Sequence, residues 1–91
     1  MTEINSIDFY WRPGCPFCMS LEQALDTANV PMSKRNIWDD PDAAAFVRSV
    51  ADGNETVPTV TVGDRSFVNP SPADLAKVLE ADAPHLLRQG S

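Results

Sequence analysis

The apolar and polar positions of this chain switch between strand-like and helix-like spacing. Residues 4–11 form an apolar run rich in aromatic and β-branched side chains, which predicts a strand buried on both faces. Residues 15–28 place apolar side chains at three- and four-residue steps, which predicts an amphipathic helix. Asn29 and Pro31 are expected to end this helix, because asparagine tolerates left-handed backbone and proline cannot continue a helix.

The middle of the chain predicts a second strand and a second helix. Residues 32–38 have a mixed pattern that we interpret as a strand. Asp40 is a suitable N-cap, and Pro41 suits the first position of the helix that follows. The apolar positions between Pro41 and Val50 form the face that this helix buries.

The last part of the chain predicts a β-hairpin and a third helix. Residues 56–62 and 65–68 are strand-like, and the Gly-Asp pair between them is typical of a tight turn. Ser71, followed three residues later by an aspartate, indicates a helix N-terminus. This helix should end before Pro84.

The resulting element order is β-α-β-α-β-β-α, an α/β fold. The first β-α-β unit requires parallel strands and a right-handed crossover, whereas the hairpin adds antiparallel strands. We therefore predict a mixed four-stranded sheet with helices on both faces. A chain of 91 residues with 43% hydrophobic side chains should form one domain, with its core at about residues 4–83 and a tail at 84–91.

Composition excludes several classes of partner. The formal charge of −6 argues against nucleic acid, and no apolar run approaches the ~18 residues of a membrane span. The N-terminal residues lack the basic and apolar regions of a signal peptide. We therefore expect a protein without a nucleic-acid or membrane partner. We also expect it in the reducing cytoplasm, where two cysteines can cycle between the thiol and disulfide states.

Both cysteines lie in the sequence RPGCPFC, at residues 12–18, between the first strand and the first helix. A helix N-terminus has unpaired N–H groups and the positive end of the helix dipole, and both favour a thiolate over a thiol. Pro16 suits the first helical position, which leaves Cys15 at the helix start as the attacking thiol. Cys18 lies one turn deeper and is the expected resolving thiol.

Other interpretations of the C-x-x-C spacing are weaker. Half a zinc site would need two more ligands, and His85 is the one further soft ligand in the sequence, so no metal site is expected. A structural disulfide across three residues stabilises little, and two cysteines packed in the core by chance remain a third alternative. A redox pair fits both the motif and its strand-to-helix context.

Two charged residues near the pair have more than one interpretation. Arg12 either supports the Cys15 thiolate, binds substrate, or is a solvated surface side chain. Asp8 either accepts protons as a buried carboxylate below the pair or is a locally paired polar residue of the first strand. The sequence leaves both questions open.

The element order, the C-P-F-C motif after the first strand and the T-V-P motif before the third resemble the glutaredoxin branch of the thioredoxin-like fold, over about residues 4–83. The resemblance implies a thiol–disulfide oxidoreductase in which Pro58 is cis and lies beside the cysteine pair. It implies that Val57 offers its backbone N–H and C=O to a bound thiol. The implied substrate-binding residues are Arg12, Pro16, Phe17, Thr56, Val57 and Pro58.

Within this branch, residues 56–71 are most similar to the mycoredoxins, actinobacterial enzymes that use mycothiol in place of glutathione. Glutathione-dependent members have a Gly-Gly pair after the hairpin, where this chain has Val68-Asn69-Pro70. The resemblance implies a monomer that releases mycothiol from mixed disulfides with proteins. It implies no bound cofactor, mycothiol or glutathione as co-substrate, and NADPH acting through a separate flavin disulfide reductase.

Three other functions stay open from the sequence. One is a general glutathione-type glutaredoxin, and another is a dithiol electron donor to ribonucleotide reductase, although the W-S-G-F-R-P signature of that group is missing. The third is an iron–sulfur or metal carrier. Carriers in this family usually have a small residue after the first cysteine, where this chain has Pro16.

Overall fold

The computed structural model describes residues 4–88, and its elements follow the predicted order. The four strands are β1 (Ile7–Trp11), β2 (Met32–Asn36), β3 (Thr59–Val62) and β4 (Arg65–Val68). The three α-helices are α1 (Pro16–Thr27), α2 (Pro41–Val50) and α3 (Pro72–Asp82), and a short 3-10 helix follows at Pro84–Arg88.

Three of the strands are shorter than the sequence predicts. Strand β3 begins only at Thr59, because the proline before it has no N–H to contribute to a ladder. Strand β2 ends at Asn36, whose side-chain oxygen accepts the Trp38 N–H at 3.0 Å and turns the chain. Strand β1 begins at Ile7 instead of residue 4.

The sheet is mixed and has the order β2-β1-β3-β4. Strands β1 and β2 are parallel, with Trp11 opposite Asn36, whereas β3 is antiparallel to both β1 and β4. Thr59 lies opposite Tyr10 on one side and Val68 on the other. The ends of all four strands therefore meet at one edge of the sheet, and we call this edge the cysteine edge because the C-x-x-C loop leaves β1 there.

Hydrophobic clusters cover both faces of the sheet, as predicted. Phe9 and Val60 point to the face covered by α1, α3 and the 3-10 helix. Tyr10 points to the opposite face, where it packs with residues of α2 such as Val47. Neighbouring residues of a strand face opposite sides, which explains how Phe9 and Tyr10 serve two different clusters.

The predicted helix boundaries rest on side-chain caps that the structure confirms. Asp40 accepts the N–H groups of Asp42 and Ala43 at 3.1 and 3.2 Å. Ser71 accepts an N–H of the first turn of α3 at 3.1 Å. Asn29 adopts φ +57° directly after α1, the left-handed conformation expected of a residue that ends a helix.

Asp8 is not a buried proton acceptor. Its side chain is 37% exposed and lies 3.7 Å from Arg35 of the neighbouring strand. Exposed ion pairs of this kind contribute ~0–1 kcal/mol to stability, so Asp8 has a local role on the sheet surface. The second interpretation of this residue, a locally paired polar residue, therefore holds.

The core does not end at residue 83, where the sequence analysis placed the start of a tail. Leu86 of the 3-10 helix is fully buried and belongs to the same cluster as Leu75 and Leu79. The His85 ring contacts the carbonyl oxygen of Ile4. A five-residue 3-10 helix is too short to show helical periodicity, which is why the pattern did not reveal it. Within residues 4–88, no helix has the length and apolarity required to cross a membrane.

We predict that Leu86→Ala lowers the free energy of unfolding by about 2–5 kcal/mol, because it removes buried methyl groups and leaves a cavity. Urea denaturation would measure the loss. Leu87→Ala is the matched control, since Leu87 is only partly buried and its truncation should cost clearly less. Equal stability of both variants and the wild type would contradict the extended core.

Candidate active site

Cys15 caps helix α1 with its sulfur. Its backbone is extended (φ −104°, ψ 102°), and its Sγ accepts the backbone N–H of Cys18 at 3.2 Å. The helix begins at Pro16, one residue later than predicted, so Cys15 stands at the N-cap and not inside the helix. An N–H group aimed at Sγ stabilises negative charge on that sulfur more than it stabilises a neutral thiol.

The two cysteines form a disulfide, with their Cα atoms 5.2 Å apart. This separation lies within the ~4.4–6.8 Å range usual for disulfides. Both residues are buried, with 4% of Cys15 and 2% of Cys18 exposed. In this oxidised state the cysteines differ little in exposure and belong to the same hydrophobic cluster. Their difference lies in backbone position, because Cys15 is the cap of the helix and Cys18 is inside it.

The loop before β3 brings Val57 to the cysteine pair. The Val57–Pro58 peptide bond is cis, which confirms that expectation, and the Val57 carbonyl oxygen lies 3.8 Å from the Sγ of Cys15. Thr59 donates its hydroxyl to the carbonyl of Thr56 at 2.8 Å, and the Asn69 N–H donates to the carbonyl of Pro58 at 2.7 Å. These bonds hold the loop from both sides. Among the hydrogen bonds of residues 4–88, none has the Val57 N–H as its donor.

Arg12 makes a contact that the sequence analysis did not include. Its guanidinium carbon lies 5.7 Å from the centre of the Trp38 ring, a cation–π distance. It also donates to the carbonyl of Pro13 at 3.4 Å. Within residues 4–88 it forms no ion pair with a carboxylate. The contacts of Arg12 are therefore with the rim of the site and not with the sulfur of Cys15.

Trp38 is the residue of this region that the sequence analysis missed. It follows β2 at the cysteine edge and is 62% exposed. The available signal was a large aromatic side chain directly after a predicted strand, in a segment of aspartates with no apolar neighbour except Ile37. The strand predicted at residues 32–38 includes Trp38, and an aromatic residue inside a strand needs no separate explanation.

A cleft of about 260 Å³ lies between the first two turns of α1 and the β4–α3 loop. Phe17 forms one wall and is 70% exposed, and Ser20 and Asn69 supply polar groups. The lining residues are Phe17, Ser20, Leu21, Asn69, Pro70, Ser71 and Pro72. None of them carries a charge, so this cleft suits a ligand that binds through neutral hydrogen bonds and apolar contact.

The structure thus brings the predicted site residues to one edge of the sheet. Pro16 and Phe17 lie in the first turn of α1, and Thr56 and Val57 lie in the loop that faces Cys15. Their roles, and those of the two cysteines as attacking and resolving thiols, stay predictions. Within residues 4–88 no cluster of three or more histidine, cysteine or acidic side chains could hold a metal ion.

Comparison with known proteins gives consistent matches. The family model described as Glutaredoxin matches residues 7–68. The chain is 33% identical over 79 residues to Mycoredoxin 1 of Corynebacterium glutamicum, an alignment that covers 86% of this chain and 98% of that protein.

Solved structures show the same fold. A mutant of the thioredoxin-like protein BC3987 superposes with a TM-score of 0.75 at 22% identity, and the match covers 85% of this chain and 97% of that one. The glutaredoxin-like NrdH-redoxin from Escherichia coli superposes with a TM-score of 0.69 at 26% identity, and the match covers 80% and 93%. Both matches agree with the predicted thioredoxin-like fold.

We predict that the pKa of the reduced Cys15 thiol lies below the ~8.5 of free cysteine, because the helix N-terminus and the Cys18 N–H stabilise its thiolate. Thiolate absorbance measured against pH in a Cys18→Ser variant would give this pKa. Cys15→Ser should lose all turnover while keeping its fold. Titration of Cys15 at the free-cysteine value would contradict activation by the helix start.

Proposed function

Because the chain belongs to the glutaredoxin family, we propose that it releases mycothiol from mixed disulfides with proteins, using Cys15 as the attacking thiolate. As a member of this family it is a glutaredoxin-like thiol–disulfide oxidoreductase, and its mycothiol specificity and residue roles are the proposal. The observation that carries the proposal is the position of Cys15. Its sulfur caps helix α1 and lies beside the Val57 backbone, and Phe17 in the first turn of the same helix lines an uncharged cleft.

The first step is a thiol–disulfide exchange. The Cys15 thiolate attacks the mycothiol sulfur of the mixed disulfide, a new bond forms between these two sulfurs, and the old disulfide bond breaks. The target protein leaves as a thiolate, which takes up a proton from water according to its own pKa. The enzyme is then mycothiolated on Cys15.

Two routes can regenerate Cys15. In one, a second mycothiol thiolate attacks the bound mycothiol sulfur, which releases mycothiol disulfide and the Cys15 thiolate. In the other, Cys18 attacks Cys15, releases mycothiol and closes the internal disulfide. The buried position of Cys18 inside the helix supports the first route as the main one, because Cys18 lacks the N-cap position that stabilises a thiolate on Cys15.

Val57 is positioned to hold the thiol part of the substrate. Its N–H and C=O lie in a loop that other hydrogen bonds already fix, so an extended ligand can pair with them as an added strand would. Thr56 and Pro58 flank it in the chain, Arg12 lies in the loop before Cys15, and Pro16 and Phe17 lie in the first turn of α1. This arrangement supports the residue set that the family resemblance implies.

The uncharged cleft supports mycothiol over glutathione. Glutathione carries two carboxylates, whereas mycothiol carries sugar hydroxyls that bind through neutral hydrogen bonds. Ser20 and Asn69 offer such groups, and the cleft lining contains no lysine or arginine to pair with a carboxylate. The name of the relative from C. glutamicum, Mycoredoxin 1, agrees with this assignment.

The proposed setting is a reducing cytoplasm in which the protein acts as a monomer. Mycothiol or glutathione is the co-substrate, and a separate flavin disulfide reductase returns electrons from NADPH.

A second candidate is a dithiol donor of thioredoxin type, favoured by the structural likeness to NrdH-redoxin from E. coli. An NADPH-coupled assay with a mycothiol disulfide reductase and with thioredoxin reductase separates the two.

We predict at least a tenfold higher kcat/KM for a protein blocked with mycothiol than for the same protein blocked with glutathione, which corresponds to about 1.4 kcal/mol. The uncharged cleft is the physical reason. Steady-state rates on both substrates give the ratio of the two kcat/KM values. In each assay the free thiol is kept reduced by its own disulfide reductase. A preference for glutathione would contradict the mycothiol assignment and leave the oxidoreductase chemistry intact.

We predict that Cys18→Ser keeps substantial activity on mycothiol mixed disulfides, because external mycothiol resolves Cys15. The same variant should lose activity on plain protein disulfides. The intermediate of that reaction joins Cys15 to the target protein and contains no low-molecular-weight thiol. Both substrates are assayed on the one variant. Equal and total loss on both would show that Cys18 is needed in every cycle.

A further inference from the structure

Large apolar side chains are exposed around the cysteine pair. Phe17 and Met19 lie in the first two turns of α1, Val68 ends β4, and Trp38 follows β2. All four therefore lie at or near the cysteine edge of the sheet. Exposed apolar side chains near a functional site indicate surfaces that contact another molecule.

Two different surface features lie near the cysteine pair. On the Phe17 side there is the cleft of about 260 Å³, and concave pockets are the usual sites for small molecules. At the end of β2, Trp38 is 62% exposed and is paired with Arg12. An exposed tryptophan beside an arginine suits a polypeptide, because these are residue types that dominate the energetics of protein–protein contacts.

Trp38 is held in place although it is exposed. Its backbone N–H donates to the Asn36 side-chain oxygen at 3.0 Å, and the Asn36 amide donates in turn to Asp39 at 3.1 Å. The guanidinium of Arg12 lies over its ring. A fixed backbone and a ring already in contact with Arg12 reduce the conformational entropy that Trp38 loses when a partner binds, which favours a role in binding.

The surface beside Trp38 is acidic. Asp39 and Asp42 are both exposed, and within residues 4–88 neither takes part in an ion pair. Arg12 is the cation that the structure places at this tryptophan. We call Arg12, Trp38, Asp39 and Asp42 the tryptophan patch. Its net charge of −1, from one arginine and two aspartates, complements a basic polypeptide.

We propose that the tryptophan patch binds the polypeptide part of the mixed disulfide, and that it prefers a segment with lysine or arginine next to the modified cysteine. The proposal rests on the proposed function, since it assigns the second half of the same substrate. Mycothiol occupies the cleft beside Phe17, and the protein chain that leaves during the first step contacts Trp38 and Arg12.

The preference for basic neighbours agrees with the chemistry of the leaving thiol. A cation next to a cysteine lowers its pKa, and a thiol of lower pKa leaves faster in disulfide exchange. The same low pKa makes such cysteines the ones most readily oxidised. The acidic patch therefore selects the proteins whose cysteines are both modified most easily and released most easily.

The test uses three mycothiol mixed disulfides with wild type and Trp38→Ala. Two carry a peptide whose cysteine has either lysine or glutamate neighbours, and the third carries 2-mercaptoethanol in place of a peptide. We expect Trp38→Ala to lower kcat/KM about tenfold on both peptides, through KM, and less than about twofold on the small substrate. Trp38→Phe should restore most of the loss, because a phenyl ring also accepts a guanidinium.

Charge preference is measured with the same substrates. Wild type should use the lysine peptide about tenfold better than the glutamate peptide at low ionic strength, and less so at ~1 M salt, where exposed charges are screened. Val50→Ala removes an exposed apolar side chain at the end of α2 and should match wild type on all three.

Equal effects of Trp38→Ala on all three substrates, or no effect on any, would overturn the docking role. A wild-type preference for the glutamate peptide would overturn the charge assignment. If wild type turns over these substrates only when glutathione replaces mycothiol in them, the mycothiol assignment fails. The ratio of kcat/KM between wild type and Trp38→Ala on the three glutathione mixed disulfides then tests the patch. If it turns over none of them, the proposed function fails and the docking proposal falls with it.

Discussion

The hydrogen bond from the Cys18 N–H to the Sγ of Cys15 is the contact on which the site depends. It makes the sulfur the cap of helix α1, so one of the N–H groups that lack a partner at the start of the helix points at Sγ of Cys15. Pro16 sets the helix start at that point and donates no competing N–H. The same helix is packed into the core through Leu21 and Leu25, which fixes the position of the cap relative to the sheet.

Sheet topology then determines what surrounds that sulfur. Because β1, β2 and β4 end at the same edge where β3 begins, four separate segments meet there. The β2–α2 segment brings Trp38, the cysteine loop brings Arg12, the loop before β3 brings Val57, and the β4–α3 loop brings Asn69. An uncharged cleft and an exposed tryptophan consequently both lie at the edge of the sheet that carries Cys15.

Local patterns predicted much of the fold because the forces behind them are local. The Asp40 and Ser71 caps, the left-handed Asn29 and the hairpin turn each depend on neighbours within a few residues. The 3-10 helix at the C-terminus was missed for the opposite reason. Leu86 is buried by residues distant in sequence, and a five-residue segment has no period that could reveal it.

The sequence by itself determined the redox pair, its place between a strand and a helix, and the α/β order that resembles the glutaredoxins. These follow from residue types at short spacing, where helix capping and hydrophobic periodicity act. Only the tertiary structure decided that Arg12 lies over Trp38, that Asp8 pairs with Arg35, and that Phe17 and Asn69 line one cleft. Such contacts join segments far apart in the chain, and no local pattern encodes them because strand register and helix packing set their distances.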